Sequence, residues 1–181
     1  MQFKQYLNKM RGYNYGIPKV NKTEIIWSWL GAFLGISTLI WTNKIFLSGT
    51  DLTLVIGSFG ASAVLIYGAI QSPLAQPRNL VGGHIISALV GVACYKLFYT
   101  VPWFAAPMAV ATAIAIMQLT YTLHPPGGAT ALIAVIGSEH IHRIGWWYVL
   151  APAAMGAIIL LIVALLVNNI PQDRQYPNTW L

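Results

Sequence analysis

His124-Pro125-Pro126-Gly127-Gly128-Ala129-Thr130-Ala131-Leu132 stands between two apolar runs and decides how the chain reads. Two prolines end a helix, because proline lacks an N–H donor and clashes with the preceding turn. Two glycines then allow a bend and leave the backbone bare. The small residues that follow predict a helix starting at about Ala129. Free backbone N–H groups would lie beside a histidine at membrane depth. Irregular backbone is tolerated there only where protein buries it or where it lines a cavity.

The surrounding composition sets that depth. The 181 residues are 57% hydrophobic and only 8% charged, with a mean hydropathy of +0.64. Soluble domains carry about 25% charged residues, so the chain reads as an integral membrane protein of one domain. A net charge of +6 would suggest nucleic acid in a soluble chain. Here the charge sits at the ends of apolar segments, which points to the lipid bilayer and excludes nucleic acid as a partner. Lys4, Lys9, Arg11, Lys19 and Lys22 all precede the first apolar run, the pattern of a cytoplasmic flank. The single cysteine, Cys94, permits no disulfide within the chain and no cysteine metal site. The first 24 residues show no cleavable leader pattern.

Five long apolar segments are predicted, at 25–41, 52–70, 80–99, 104–123 and 146–167, with a short one at 128–137. A spanning helix needs roughly 20 residues. The expectation is an all-α membrane protein of about six transmembrane segments, one or two of them broken. Residues 1–24 form a basic cytoplasmic segment, 25–167 the transmembrane domain, and 168–181 a C-terminal tail. Six crossings place both ends in the cytoplasm and seven of the ten basic residues inside. Trp27, Trp29, Trp41, Trp103, Trp146 and Trp147 lie near segment ends as an interfacial belt. The expected setting is a bacterial or cyanobacterial plasma membrane.

Gly60-Ala61-Ser62-Ala63-Val64-Leu65 resembles Gly128-Ala129-Thr130-Ala131-Leu132-Ile133 at an offset of 68 residues. Each copy follows one long segment and precedes another. The chain therefore reads as two three-helix units, 25–99 and 104–167, inverted because three is odd. Such repeats hold their sites at matched helix interruptions. Small residues also recur wherever membrane helices pack closely.

The two matched stretches are read as helix starts, which expose N–H groups and a partial positive charge that suits an anion. The predicted substrate contacts are Gly60, Ala61 and Ser62 on one side and Gly127, Gly128, Ala129 and Thr130 on the other. Ser62 and Thr130 would add hydroxyls, unless they bond back to their own helices. His84 and His124 are intramembrane ionisable residues, which mark functional sites by default and titrate near neutral pH. Arg78, with Asn79, would draw anions to a cytoplasmic mouth. The alternatives are a topology-fixing arginine and a helix cap.

Glu139, His140 and His142 lack a third ligand of firm geometry, and no metal is expected. Paired carboxylates, a Ser-His-Asp arrangement and a nucleotide-binding loop are all absent from the sequence. The reading is not an enzyme, with no catalytic residues and no cofactor.

Four stretches, in order, resemble the HPP family of integral membrane proteins. They are Lys9 to Gly12 with Trp27 to Ile36, Gly57 to Leu65, Pro73 to Asn79 with Gly82-Gly83-His84, and His124 to Leu132. Many members carry proline where this chain has Ser58. The resemblance implies nitrite transport. The combined expectation is a carrier or channel for a small monovalent anion, nitrite first, acting as a homo-oligomer. The rival is a non-transporting membrane scaffold or the membrane subunit of a larger complex.

Overall fold

Apolar segments in lipid must satisfy their own backbone groups, and a helix does so within one segment. The computed structural model describes residues 21–45 and 47–180, and no strand occurs among the described residues. The helices are α1 (Lys22–Asn43), α2 (Gly49–Ala63), α3 (Pro77–Phe98), α4 (Pro102–Leu119), α5 (Pro125–Ile136), α6 (Glu139–Ile144) and α7 (Met155–Asn168). A π-helical turn, Val64–Gly68, prolongs α2, and a kinked stretch, Val149–Ala154, in which Ala151 is extended (φ −138°, ψ 119°), leads into α7. Among the described residues five segments are long and apolar enough to cross a membrane, and α5 is a shorter apolar helix. Lys4, Lys9, Arg11, Lys19 and most of segment 1–24 lie outside the described residues.

Contacts identify the two ends of the bundle. Arg174 in the tail meets Glu24 in the first turn of α1 at 3.3 Å, and Asn178 bonds to Gln71 and Gln76. Arg78 and Asn79 hold the carbonyls of Thr120 and Leu123. The start of α1, the α2–α3 link, the α4–α5 turn and the tail therefore share one end. At the opposite end Ser138, just after α5, bonds to Asp51 in the first turn of α2. The described chain passes between the ends six times, with α5 as the short fifth passage. Exposed Trp41, Trp103, Trp146 and Trp147 lie toward the Asp51 end and Trp29 toward the other, as interfacial tryptophans do.

Small residues bring these helices together. Ala105, Ala109 and Ala113 repeat every four residues on α4 and are fully buried, and α4 packs on α3 and α5. Gly31 and Gly35 on α1 form a notch for the Tyr67 ring, which a Cβ at either position would strike. Tyr67 sits on the π-helical turn and donates to Leu160 O at 3.1 Å. Its own carbonyl accepts from Ser28 at 2.7 Å and from Arg174 at 2.9 Å, while the Ile66 carbonyl accepts from Asn168 at 2.8 Å. Side chains thus take up carbonyls on a turn where the regular i→i−4 ladder is interrupted.

Two expectations about helix starts are corrected. α5 begins at Pro125 rather than about Ala129, with His124 as its N-cap. The prolines occupy first-turn positions, where a missing N–H is harmless and the fixed φ suits the helix. Gly60, Ala61 and Ser62 do not open a helix. They lie in the last turns of α2, which starts at Gly49 with Asp51 in its first turn, where a carboxylate is favoured. Just upstream of the matched stretches the two helices do touch: Ser58 donates to Pro126 O at 3.0 Å across the α2–α5 contact, over the same 68-residue separation.

Candidate functional site

His84 stands seven residues into α3, about 10 Å along its axis. Gly82 and Gly83 precede it. A Cβ on Gly83 would come within 2.5 Å of His124 Cβ, and one on Gly82 within 2.7 Å of Thr122. The bare backbone of α3 therefore lets the extended 122–124 segment lie directly on it. That approach sets the His84 and His124 ring centroids 5.2 Å apart.

Hydroxyl groups from α2 and α5 complete the cluster. Ser62 Oγ lies 2.8 Å from His84 Nε2 and 2.9 Å from His124 Nε2. Thr130 Oγ1 lies 2.8 Å from His84 Nδ1 and 2.9 Å from Ser58 Oγ. His124 Nδ1 donates to Leu74 O at 2.8 Å, since a carbonyl oxygen only accepts. Tyr148 donates to the Thr130 carbonyl at 3.0 Å, and the Phe59 ring packs 4.5 Å from that of His84. Ser58, Ser62, His84, His124 and Thr130 are all buried, none more than 4% exposed.

Ser62, His84, His124 and Thr130 converge as a group, and the hydroxyls face the rings. Gly60, Ala61, Gly127, Gly128 and Ala129 do not join them. Gly60 has open space around its missing side chain, and Ala61 is exposed. Gly127 is wedged against Ser87 and Met117, while Gly128 looks toward Val110. The expected nest of free N–H groups is also depleted. Pro125 and Pro126 have none, and Gly127 N–H donates to His124 O at 2.8 Å. Ser58 belongs to the cluster and was absent from the predicted contacts. Its spacing of four from Ser62 puts both on one helical face, and that signal could have found it.

Arg78 and Asn79 line a cavity of about 480 Å³ with Pro73, Gln76, Met117 and Leu123. Leu74 and His124 are chain neighbours of this lining. Arg78 donates to Thr120 O at 2.8 Å and lies 5.8 Å from the Tyr121 ring centroid. Tyr121 adopts φ +56°, an uncommon left-handed conformation that the two side-chain braces hold. Asn79 donates to Leu123 O and so also braces this turn. A smaller cavity of about 260 Å³ at the opposite end is lined by Ser48, Thr50, Asp51, Ser138 and His140. His142 stacks on Tyr95 at 3.7 Å, with its Nε2 on Val135 O. Glu139 and His140 belong to α6 at the same end.

The family model described as HPP, transmembrane region, matches residues 17–177. A transmembrane protein of Dictyostelium discoideum is 44% identical over 183 residues, which cover 99% of this chain and 58% of the relative. A second from the same organism is 45% identical over 181 residues, covering 98% and 62%. The chain spans about three fifths of the length of these curated relatives. No solved structure matches it.

Proposed function

We propose that this chain, which belongs to the HPP family of integral membrane proteins, moves a small monovalent anion across the membrane. Nitrite is the first candidate, from the family resemblance. The observation that carries the reading is the buried group of two histidines and three hydroxyls at the meeting of α2, α3 and α5. Polar side chains inside a membrane protein are expensive and mark substrate or ion pathways. This group holds its hydrogens within the chain and has no fixed cation, so an anion would bind by displacing an internal contact and could also leave. The anion would meet side chains, not paired helix starts, and Arg78 with its cavity would serve as one mouth. The process involves no covalent chemistry and no cofactor.

Topology and assembly are part of the same proposal. Placing the Arg78 end in the cytoplasm follows from the basic flank, and a bacterial or cyanobacterial plasma membrane from the resemblance. A homo-oligomer is retained, although Gly31, Gly35, Gly82, Gly83, Gly91 and Gly127 are taken up by contacts within the chain. The second reading is a non-transporting membrane scaffold or the membrane subunit of a larger complex, because every group of the cluster already finds its partner within the chain.

The test is saturable nitrite uptake into proteoliposomes, with chloride, nitrate and bicarbonate as competitors. Protein-free liposomes set the background, because nitrous acid crosses lipid unaided. Thr130→Val keeps the shape and removes the hydroxyl, and a loss of uptake of at least about tenfold is expected, as one strong hydrogen bond is worth about that factor. Wild-type uptake equal to background would contradict transport of nitrite.

A further inference from the structure

Six contacts join seven groups in one line: Leu74 O, His124, Ser62, His84, Thr130, Ser58 and Pro126 O. Each contact is a hydrogen bond only if one hydrogen lies in it. Both terminal groups are carbonyls and bring no hydrogen. Three hydroxyls and two neutral imidazoles bring one each. Five hydrogens therefore serve six contacts, and the neutral line is one short.

We infer that this line is a binding site for a single proton, held jointly by His84 and His124 and passed between them through Ser62. Both carbonyl ends must receive a hydrogen, and we place the gap between two hydroxyl oxygens, which can rotate, and not at a ring nitrogen, whose lone pair is fixed. The Leu74 carbonyl requires a hydrogen on His124 Nδ1, so His124 Nε2 accepts from the Ser62 hydroxyl. Ser62 oxygen then accepts from His84 Nε2–H, and His84 Nδ1 accepts from the Thr130 hydroxyl. At the other end the Ser58 hydroxyl donates to Pro126 O, so the gap falls between the Thr130 and Ser58 oxygens.

One added proton closes the gap. With both nitrogens of His84 protonated, Nδ1–H donates to Thr130, Thr130 to Ser58 and Ser58 to Pro126 O. With the charge on His124 instead, Nε2–H donates to Ser62 and the Ser62 hydroxyl donates to His84 Nε2. The two forms interconvert in one concerted step. Ser62 takes the proton from His124 Nε2 and gives its own to His84 Nε2, or the reverse, and no other bond changes. Either form satisfies all six contacts, and a second added proton would find no free acceptor along the line.

Among the described residues the surroundings leave this pair as the titrating element. α4, α5 and α7 carry no titratable side chain, and α2 carries only Asp51, tied to Ser138, with Tyr67 on its π-helical turn, bonded to Leu160 O. On α3, Arg78 is engaged with Thr120 O and Tyr95 stacks on His142, while Cys94 and Lys96 lie near its far end. Tyr148 donates to the Thr130 carbonyl. The His124 end lies beside the Arg78 cavity, whose lining includes Pro73 and Leu123, the chain neighbours of Leu74 and His124. A buried cation is stable only when compensated, so the filled line favours an anion nearby.

The inference rests on hydrogen-bond geometry and is independent of anion transport, so either can fail alone. The test is ¹⁵N NMR of ring-labelled histidine in the full chain in nanodiscs, with His140 and His142 replaced by glutamine to clear the spectrum. At alkaline pH the result expected is a hydrogen on Nδ1 of His124 and on Nε2 of His84. On acidification the pair takes up one proton, with both rings shifting at a common midpoint. Ser62→Ala should separate the two midpoints. An Nε2–H tautomer of His124 at alkaline pH, uptake of two protons, uptake of none before the fold is lost, or indifference to Ser62→Ala would each overturn the inference.

Discussion

Ser62 joins both histidines through one oxygen, so its loss touches two ring nitrogens at once. Ser62→Ala leaves both without their hydroxyl partner in a site closed to water. A buried polar group left unsatisfied costs about 1–3 kcal/mol, and the melting temperature of the reconstituted protein should fall accordingly. At Gly35 the limit is space: a Cβ there would collide with the Tyr67 hydroxyl that holds Leu160 O. Gly35→Ala should destabilise by roughly 1–3 kcal/mol, the range for overpacking. Gly57→Ala, on the same measurement, should be near neutral, because nothing lies within 4 Å of the new atom. Equal melting of the two alanine variants would refute the notch assigned to Tyr67.

At the scale of elements, α5 is the piece that positions the site. Its first turn presents Gly127 to Ser87 and Met117, and Gly128 to open space beside Val110. Gly127→Ala should displace the start of α5, and His124 with it, and reduce nitrite uptake by about tenfold or more, since misplacement by about 1 Å can cost a hundredfold. Gly128→Ala should leave uptake within about twofold, as surface-type changes away from close contacts usually do. The apolar segments were legible in the sequence because hydropathy alone specifies them. The start of α5 was not, because a Pro-Pro pair stops the helix before it and equally well begins the one that contains it. The reading of Gly60 to Ser62 as a helix start failed for a different reason. The start signal lay upstream, in Gly49 with φ +55° and Asp51 in the first turn. His84, His124, Ser62 and Thr130 could be named from residue type and apolar context. Their mutual hydrogen bonds, and Ser58, depended on how α3 and α5 pack.

The π-helical turn at Val64–Gly68 was also invisible in the sequence, because it is stabilised from outside the segment. Arg174 looked like an ordinary tail cation, yet its side chain is buried against the Tyr67 carbonyl and Asn168. Arg174→Gln should lower stability by roughly 1–3 kcal/mol through the carbonyls left unpaired. Chemical unfolding in detergent would show this as a shifted midpoint, and an unchanged midpoint would mean that the tail clamp contributes nothing.

Across the whole molecule the cavities at the two ends differ in charge. Arg78 borders the larger cavity, and Asp51 the smaller. Long-range attraction of an anion to Arg78 would be screened by salt, with a Debye length of about 10 Å at 0.1 M. Arg78→Gln should raise the half-saturating nitrite concentration several-fold at low ionic strength, with the difference shrinking as salt is added; a salt-independent difference would assign Arg78 to bracing the Thr120 turn alone. The central claim is that the buried histidine–hydroxyl cluster carries the transported anion. Its most direct test measures nitrite uptake and internal pH together in dye-loaded proteoliposomes, with wild type and folded Ser62→Ala side by side against protein-free vesicles. The account predicts saturable nitrite uptake accompanied by proton uptake, with both lost in Ser62→Ala. Nitrite uptake that persists undiminished in that variant, or wild-type uptake no greater than in bare vesicles, would contradict it.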